Sequence, residues 1–256
     1  QKEVVISLEK MNSILEFDET DRSVKCEAGV VTEDLQNYAK EKGYYYPVDF
    51  AARGSSQIGG NIATNAGGIK VIRYGLTRNW INGRKVVTGS GEILELNKGL
   101  VKNASGYDLR HLFIGSEGTL GIITEATLQL ANPPKSLSVF LFACPELSSV
   151  MKIFAKFKNQ FDLTAFEMFT DVALSYIHKA GHVKSPIETQ SPYYTLVEIE
   201  NTAENVLDKA MELFESCMEE GWITDGTMAQ NSQQALEIWR LREDITEATS
   251  HKHPYK

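Results

Sequence analysis

Positive charge is in deficit in this sequence: 26 lysines and arginines stand against 34 aspartates and glutamates, a formal net charge of −8. Gripping a nucleic-acid backbone requires a surplus of cations, so nucleic acid is not an expected partner. Cysteine is scarce as well. Cys26, Cys144 and Cys217 are odd in number and far apart; they fit neither a zinc site nor a CxxC redox pair and read as reduced core thiols. Long apolar runs are missing too. None reaches the roughly 18–20 residues that cross a bilayer, and no charged-then-apolar leader opens the sequence. The expectation is a soluble protein of a reducing, cytoplasmic compartment, with peripheral contact at the inner membrane as the remaining membrane option.

What is present suffices for a substantial core: 256 residues, 42% of them hydrophobic, enough for one large domain or two modest ones. Val4 to Leu8 form a β-branched run that predicts a strand almost at the first residue. His253-Pro254-Tyr255-Lys256 follow a helix with nothing to finish the layer. Both ends predict a fragment of a longer protein.

Between them, Val24 to Ala28 alternate as a strand, and Thr32 is placed to cap a helix carrying Leu35, Tyr38 and Ala39 on one face, with Gly43 as its left-handed terminator. Lys85-Val86-Val87 and Ile93 to Leu96 flank Gly89-Ser90-Gly91 as a hairpin. Asp108 caps a short helix with Leu109, Leu112 and Phe113 on one side. Ile122, Ala126, Leu128 and Leu130 share the buried face of the next strand. Pro133-Pro134 then breaks helix and ladder alike, which puts a boundary between domains at 1–132 and 135–256. Beyond it, strand, helix and strand recur twice: 137–142, 145–159 and 164–169, then 193–199, a helix opened by an Asn201/Glu204 capping box and closed by Gly221, and 222–228. A last helix runs from about Ser232 to Ala248. Helices on one face of a sheet make this an α+β second domain.

Two glycine clusters carry the chemistry. Residues 54–68 replace almost everything bulky with small or amide side chains, and residues 115–121 place glycines three apart. Glycine permits positive φ and removes Cβ, so backbone N–H groups can converge on an anion such as a pyrophosphate. Thr64 and Asn65 add side-chain donors and acceptors. Neither cluster has the terminal Lys-Ser/Thr of a phosphate loop or the strand-GxGxxG-helix context of a nicotinamide site.

Pro47-Val48-Asp49, Gly59 to Gly68, Arg73-Tyr74-Gly75, Ser105-Gly106-Tyr107-Asp108 and Leu112 to Thr124, in this order, resemble the FAD-linked oxidase family of the vanillyl-alcohol oxidase, or PCMH-type FAD-binding, superfamily. The branch they resemble oxidises D-2-hydroxy acids such as 2-hydroxyglutarate, lactate and glycolate. The resemblance implies that the first domain is the C-terminal part of a PCMH-type FAD-binding domain. Non-covalent FAD would then be lined by Pro47, Gly59, Gly60, Asn61, Thr64, Asn65, Gly68, Gly118 and Ile123. The second domain would be an incomplete, ferredoxin-like substrate domain. The family's first glycine-rich loop is expected before Gln1. The histidines that hold a divalent metal such as zinc, and the groups that activate the substrate hydroxyl, are expected after Lys256.

For substrate, the resemblance points to Arg242, Thr246 and Lys256 as carboxylate ligands. Arg242 and Thr246 are four apart and share a helix face, and a guanidinium suits a planar carboxylate. Without the family context, Arg242 reads as a helix-face arginine paired with a nearby glutamate. The histidines fit no metal motif: Gly181 separates His178 from His182, and His251 and His253 belong to a terminus. The implied reaction is hydride transfer from a D-2-hydroxy acid to flavin, with electrons leaving to a quinone, a cytochrome or an electron-transfer flavoprotein, in a homodimer. The alternatives are another flavoprotein oxidase on the same scaffold and a catalytically silent nucleotide-binding module.

Overall fold

Alternation of apolar and polar side chains builds the first sheet. Val24, Cys26 and Ala28 are fully buried while Lys25 and Glu27 are not, as a pleated strand with one wet face requires. The computed structural model describes residues 4–97, 100, 102–181 and 183–250, and the chain divides into two units between Pro133 and Pro134. In the first unit, β1 (Ile14–Asp18), β2 (Ser23–Glu27), β3 (Ile81–Thr88), β4 (Ile93–Leu96) and β5 (Gly121–Gln129) form an antiparallel sheet in the order β1-β2-β5-β3-β4. Its helices are α1 (Thr32–Glu41), α2 (Ile58–Ala63), α3 (Val71–Tyr74) and α4 (Leu109–Phe113). Leu35 and Ala39 of α1 meet Ile58 and Ile62 of α2 in the core beside β2 and β5, all four fully buried.

Several local expectations change in three dimensions. Residues 4–7 lie in solvent without strand pairing; a β-branched run is not a strand until a neighbour accepts its hydrogen bonds. In β5, Glu125 pairs with Lys85 and Ile123 with Val86, so Thr124 is an extra residue on that strand. The bulge turns Ile123 rather than Ile122 into the core. Asp108 does cap α4, its Oδ1 accepting from the Arg110 N–H at 3.1 Å, but only Phe113 of the expected apolar trio is buried.

The second unit contains β6 (Leu137–Cys144), α5 (Leu147–Gln160), β7 (Leu163–Thr170), α6 (Asp171–Ala180), β8 (Tyr193–Glu200), α7 (Val206–Glu219), β9 (Asp225–Met228), α8 (Ser232–Glu243) and α9 (Ile245–Thr249). Its antiparallel sheet has the order β7-β8-β6-β9. Two strand-helix-strand halves wound in this order are the ferredoxin-like arrangement, with α6 inserted between them. Ile153 and Phe157 of α5 and Ala210 and Leu213 of α7 pack on Phe140, Phe142, Val197 and Ile199. Helix α8 covers the opposite face, so helices are not confined to one side. Asn201 does not open α7: its amide donates to the Ser136 and Ser138 hydroxyls, and the helix starts at Val206. The strand expected over 222–228 forms only from Asp225. Helix α6, unforeseen, has Thr170 as its cap and Gly181 as its left-handed terminator.

All three cysteines are buried and free. Burial pushes the Cys26 thiol up to about 12 and that of Cys144 up to about 11, which keeps both protonated and inert. No helix among the described residues is long and apolar enough to cross a membrane.

Candidate functional site

The glycine-rich stretch is not wholly loop. Ile58 and Ile62, four apart, are both drawn into the core, and burying that pair coils residues 58–63 into α2 despite two glycines. Gly59 is helical for a packing reason: a Cβ there would sit 2.7 Å from the Ala28 Cβ, and its N–H donates to the Ala28 carbonyl at 2.7 Å. Thr32, expected as a helix cap, is fully buried instead, its hydroxyl bonded to Ser56 and accepting from the Asn61 amide at 2.6 Å. Asn61 therefore fastens α2 to α1. Gly68, at φ +121°, lets the chain cross Asp49, whose carbonyl oxygen would be 2.2 Å from a Cβ.

The second glycine cluster is stitched onto the first. The N–H groups of Gly115 and Glu117 donate to the carbonyls of Ile62 and Ala63 at 3.1 and 2.9 Å. Asn65, at φ +50°, accepts from the Arg78 N–H through Oδ1 at 3.1 Å. Pro47 and Ile123 are buried beneath. Four of the nine expected cofactor residues, Gly60, Thr64, Gly68 and Gly118, are exposed. A Cβ at Gly60 or Gly118 would meet nothing within 4 Å, and Thr64 is exposed, its hydroxyl donating to the Gly60 carbonyl. Gly60 and Gly118 present backbone with open space where a side chain would stand, which fits close approach of a flat ring or a pyrophosphate; Pro47, Gly59, Asn61 and Ile123 are buried and Asn65 is half-buried. A groove of this unit, about 440 Å³, is elsewhere: Lys25 and Lys85 converge there on Glu125, and none of the nine lines it.

Arg78, Arg84 and Arg110 form a cationic cluster around Asp108 that sequence patterns did not reveal. Arg84 of β3 is only 5% exposed, and none of its three guanidinium nitrogens finds a hydrogen-bond partner among the described residues. Burial pushes it down to about 10, and Arg110 and Arg78 add repulsion. Asp108 is held by Arg110 in a two-point contact at 2.9 and 2.7 Å, which lowers the carboxyl below its ordinary range.

The expected substrate residues belong to the second unit. The single helix foreseen over 232–248 is broken at Asp244, whose carboxylate accepts from Arg240 at 3.1 and 2.9 Å. Arg242 therefore lies in the last turn of α8 and Thr246 in the first turn of α9. Arg242 is one-third exposed and donates from Nε to Glu167 Oε2 of β7 at 2.7 Å; Thr246 faces solvent. The pairing with a glutamate is real, although the partner comes from the sheet 75 residues away rather than from the helix. One turn earlier, Trp239 Nε1 donates to buried Glu198 Oε2 at 2.9 Å, and Glu198 Oε1 accepts from the Thr164 hydroxyl. Glu198 and Glu167 are strand residues paired with Ala165 and Leu196, both fully buried, so only the paired register identifies their shared face. Lys256, His182, His251 and His253 lie outside the described residues. No group of three or more His, Cys, Asp or Glu side chains suited to a metal occurs among the described residues.

Comparison with known proteins follows the same division of the chain. Residues 1–97 match the family model of the FAD binding domain, and residues 133–255 match that of the C-terminal domain of FAD linked oxidases. A D-2-hydroxyglutarate dehydrogenase of Stutzerimonas stutzeri (strain A1501) is 56% identical over 254 residues, covering 99% of this chain and 55% of the relative. The mitochondrial D-2-hydroxyglutarate dehydrogenase of Rattus norvegicus is 38% identical over 251 residues, covering 97% of this chain and 47% of the relative. The chain thus spans about half the length of the curated relatives it matches. Among solved structures, alkyldihydroxyacetonephosphate synthase shares the fold with a TM-score of 0.68 at 20% identity, over 91% of this chain and 44% of that one. With these two models matching residues 1–97 and 133–255, the chain belongs to the FAD-linked oxidase family.

Proposed function

We propose that this chain contributes the glycine-loop surface and the carboxylate clamp of an FAD-dependent dehydrogenase that oxidises D-2-hydroxyglutarate to 2-oxoglutarate. The observation that carries the reading is Arg242: an arginine fixed by one nitrogen, one-third exposed, in the domain shared with FAD-linked oxidases. FAD, when bound, supplies the hydride acceptor. Gly60, Thr64 and Gly118 would admit it, and Pro47, Gly59, Asn61, Asn65, Gly68 and Ile123 would keep that surface rigid. Arg242 fixes the substrate carboxylate, with Thr246 and Lys256 as further ligands, so that the α-carbon is oriented before the reaction begins. A fixed cation also costs no reorganisation as charge shifts.

The wider reading includes a divalent metal such as zinc, a base for the hydroxyl proton, a homodimer, and electron transfer onward to a quinone, a cytochrome or an electron-transfer flavoprotein. The test uses the full-length natural protein containing this chain, loaded with FAD and mixed anaerobically with D-2-hydroxyglutarate, D-lactate and glycolate. Fast bleaching of the flavin band by D-2-hydroxyglutarate is the expected result. Bleaching only by an alcohol without a carboxylate points to a different flavoprotein oxidase. Flavin bound but bleached by none points to a silent nucleotide-binding module.

A further inference from the structure

Arg242 is useful as a carboxylate ligand only if its guanidinium is held in one orientation. A free arginine side chain samples many rotamers, all of which must be frozen when a ligand binds. Here the freezing is built in. Glu167, 20% exposed on β7, takes the Nε–H at 2.7 Å, a short, charge-assisted bond. It is the contact described for this guanidinium, and it occupies the inner edge of the fork. The helix is secured one turn earlier by Trp239 on Glu198 of the neighbouring strand. Two acids on adjacent strands therefore hold two successive turns of α8 to the same sheet face.

We propose that Glu167 is a positioning residue: by holding Nε it presents the two Nη nitrogens of Arg242, end on, to the carboxylate of a dicarboxylic or monocarboxylic 2-hydroxy acid. The inference rests on the reading of Arg242 given above. It distinguishes a positioning acid from a neutralising one. If Glu167 serves only to balance charge, its negative charge is what matters; if it serves to orient, an accepting oxygen at the same place is enough. Glutamine keeps the oxygen and loses the charge, and it also removes an anion from the neighbourhood of an anionic substrate.

The experiment measures Glu167→Gln, Glu167→Ala, Arg242→Ala and the double alanine variant in the flavin-loaded full-length protein. Expected are a KM for D-2-hydroxyglutarate raised roughly tenfold or more in Glu167→Ala, within about threefold of wild type in Glu167→Gln, and no further loss when Glu167→Ala is added to Arg242→Ala. A readout independent of turnover is the Arg242 Nε–H resonance in ¹⁵N-arginine-labelled protein, slow to exchange with water in wild type and Glu167→Gln and fast in Glu167→Ala. Equal damage from Gln and Ala, or an Nε–H indifferent to both, overturns the positioning role. If Arg242→Ala is harmful and Glu167→Ala is not, the clamp stands and Glu167 is dismissed; if Arg242→Ala leaves KM unchanged, the clamp and its positioning residue fall together. Should Glu167→Ala fail to fold, Glu167→Gln and the Nε–H exchange rate still decide the matter.

Discussion

Arg84 and Arg242 carry the same guanidinium into opposite circumstances. Arg84 is buried on β3 with no hydrogen-bond partner among the described residues and two further arginines nearby. Arg242 stands at the end of α8, held at one nitrogen and one-third open. An ionised group shut away from water without a partner is a destabilising element. The same group, desolvated on one side and anchored, is pre-organised for an anion. Burial alone does not dispose an arginine to bind an anion; an open donor edge on a fixed frame is what the proposed clamp requires.

The sharpest way to break this contrast is to remove the open arginine. Arg242→Ala is expected to lower kcat/KM for D-2-hydroxyglutarate by about a hundredfold or more, the range for truncating a hydrogen-bonded charge in a ligand contact. Its effect on stability should be small, since the pair it breaks is partly solvated. Steady-state kinetics beside urea unfolding of the same samples separates the two. A variant with normal kinetics and lost stability would make Arg242 a strut like any other.

The glycine loops allow the same contrast between a residue that shapes the site and one that leaves it open. Gly68→Ala forces a Cβ to within 2.2 Å of the Asp49 carbonyl oxygen at φ +121°, so the backbone must move. A loss of about 2–3 kcal/mol in unfolding free energy is expected. Gly60→Ala meets nothing within 4 Å and sits in a helix, where alanine is the better former by about 1 kcal/mol. It should leave stability equal or higher while weakening FAD retention, read by absorbance after desalting. Retained FAD in Gly60→Ala would remove that position from the cofactor surface.

How much of this was legible in the sequence follows from what a linear pattern can encode. The strand at Val24 to Ala28, the hairpin around Gly89 to Gly91, the Asp108 cap and the repeated strand-helix-strand order all depend on residues within a few positions of each other, and they appear in that order, although the second repeat's helix opens at Val206 and its last strand at Asp225. Asn61 and Thr32 were visible as polar residues, yet their bond joins positions 29 apart, and it exists only once Ile58 and Ile62 have coiled the loop into α2. Glu167 was invisible as a partner of Arg242 because the register of β7 against β8 decides which face it takes. The Thr124 bulge hid Ile123 in the same way: one inserted residue reverses a period-two pattern. Local chemistry was readable; contacts created by register were not.

Arg84 offers the converse of the Arg242 experiment. Arg84→Met replaces an enclosed, unpartnered charge by an apolar side chain of similar length, and such replacements are neutral or stabilising by about 1–4 kcal/mol. Unfolding in urea should show a higher midpoint with an unchanged slope, and catalysis should not suffer. A marked loss of stability instead would mean that the guanidinium has a partner whose bonds outweigh its desolvation.

The smallest effect tests whether Arg84 acts on its neighbours through charge. His111 is held below its ordinary value of 6.5, first by burial, then by repulsion from Arg78, Arg110 and Arg84, with Asp108 opposing. A histidine depressed in the folded state takes up its proton more readily in the unfolded chain. Stability contributed by its neutral form is therefore present above about 6.5 and declines as pH falls below it, levelling off once the folded histidine also protonates. Arg84→Met deletes one of the repelling charges, so the His111 pKa should move upward and this acid-side decline should shrink. An NMR titration of the His111 ring, with melting curves from about pH 5 to about pH 7, follows both quantities. A His111 titration unchanged by Arg84→Met would show that the arginine's charge is screened from it, and the cost of burying Arg84 would then be one of desolvation alone.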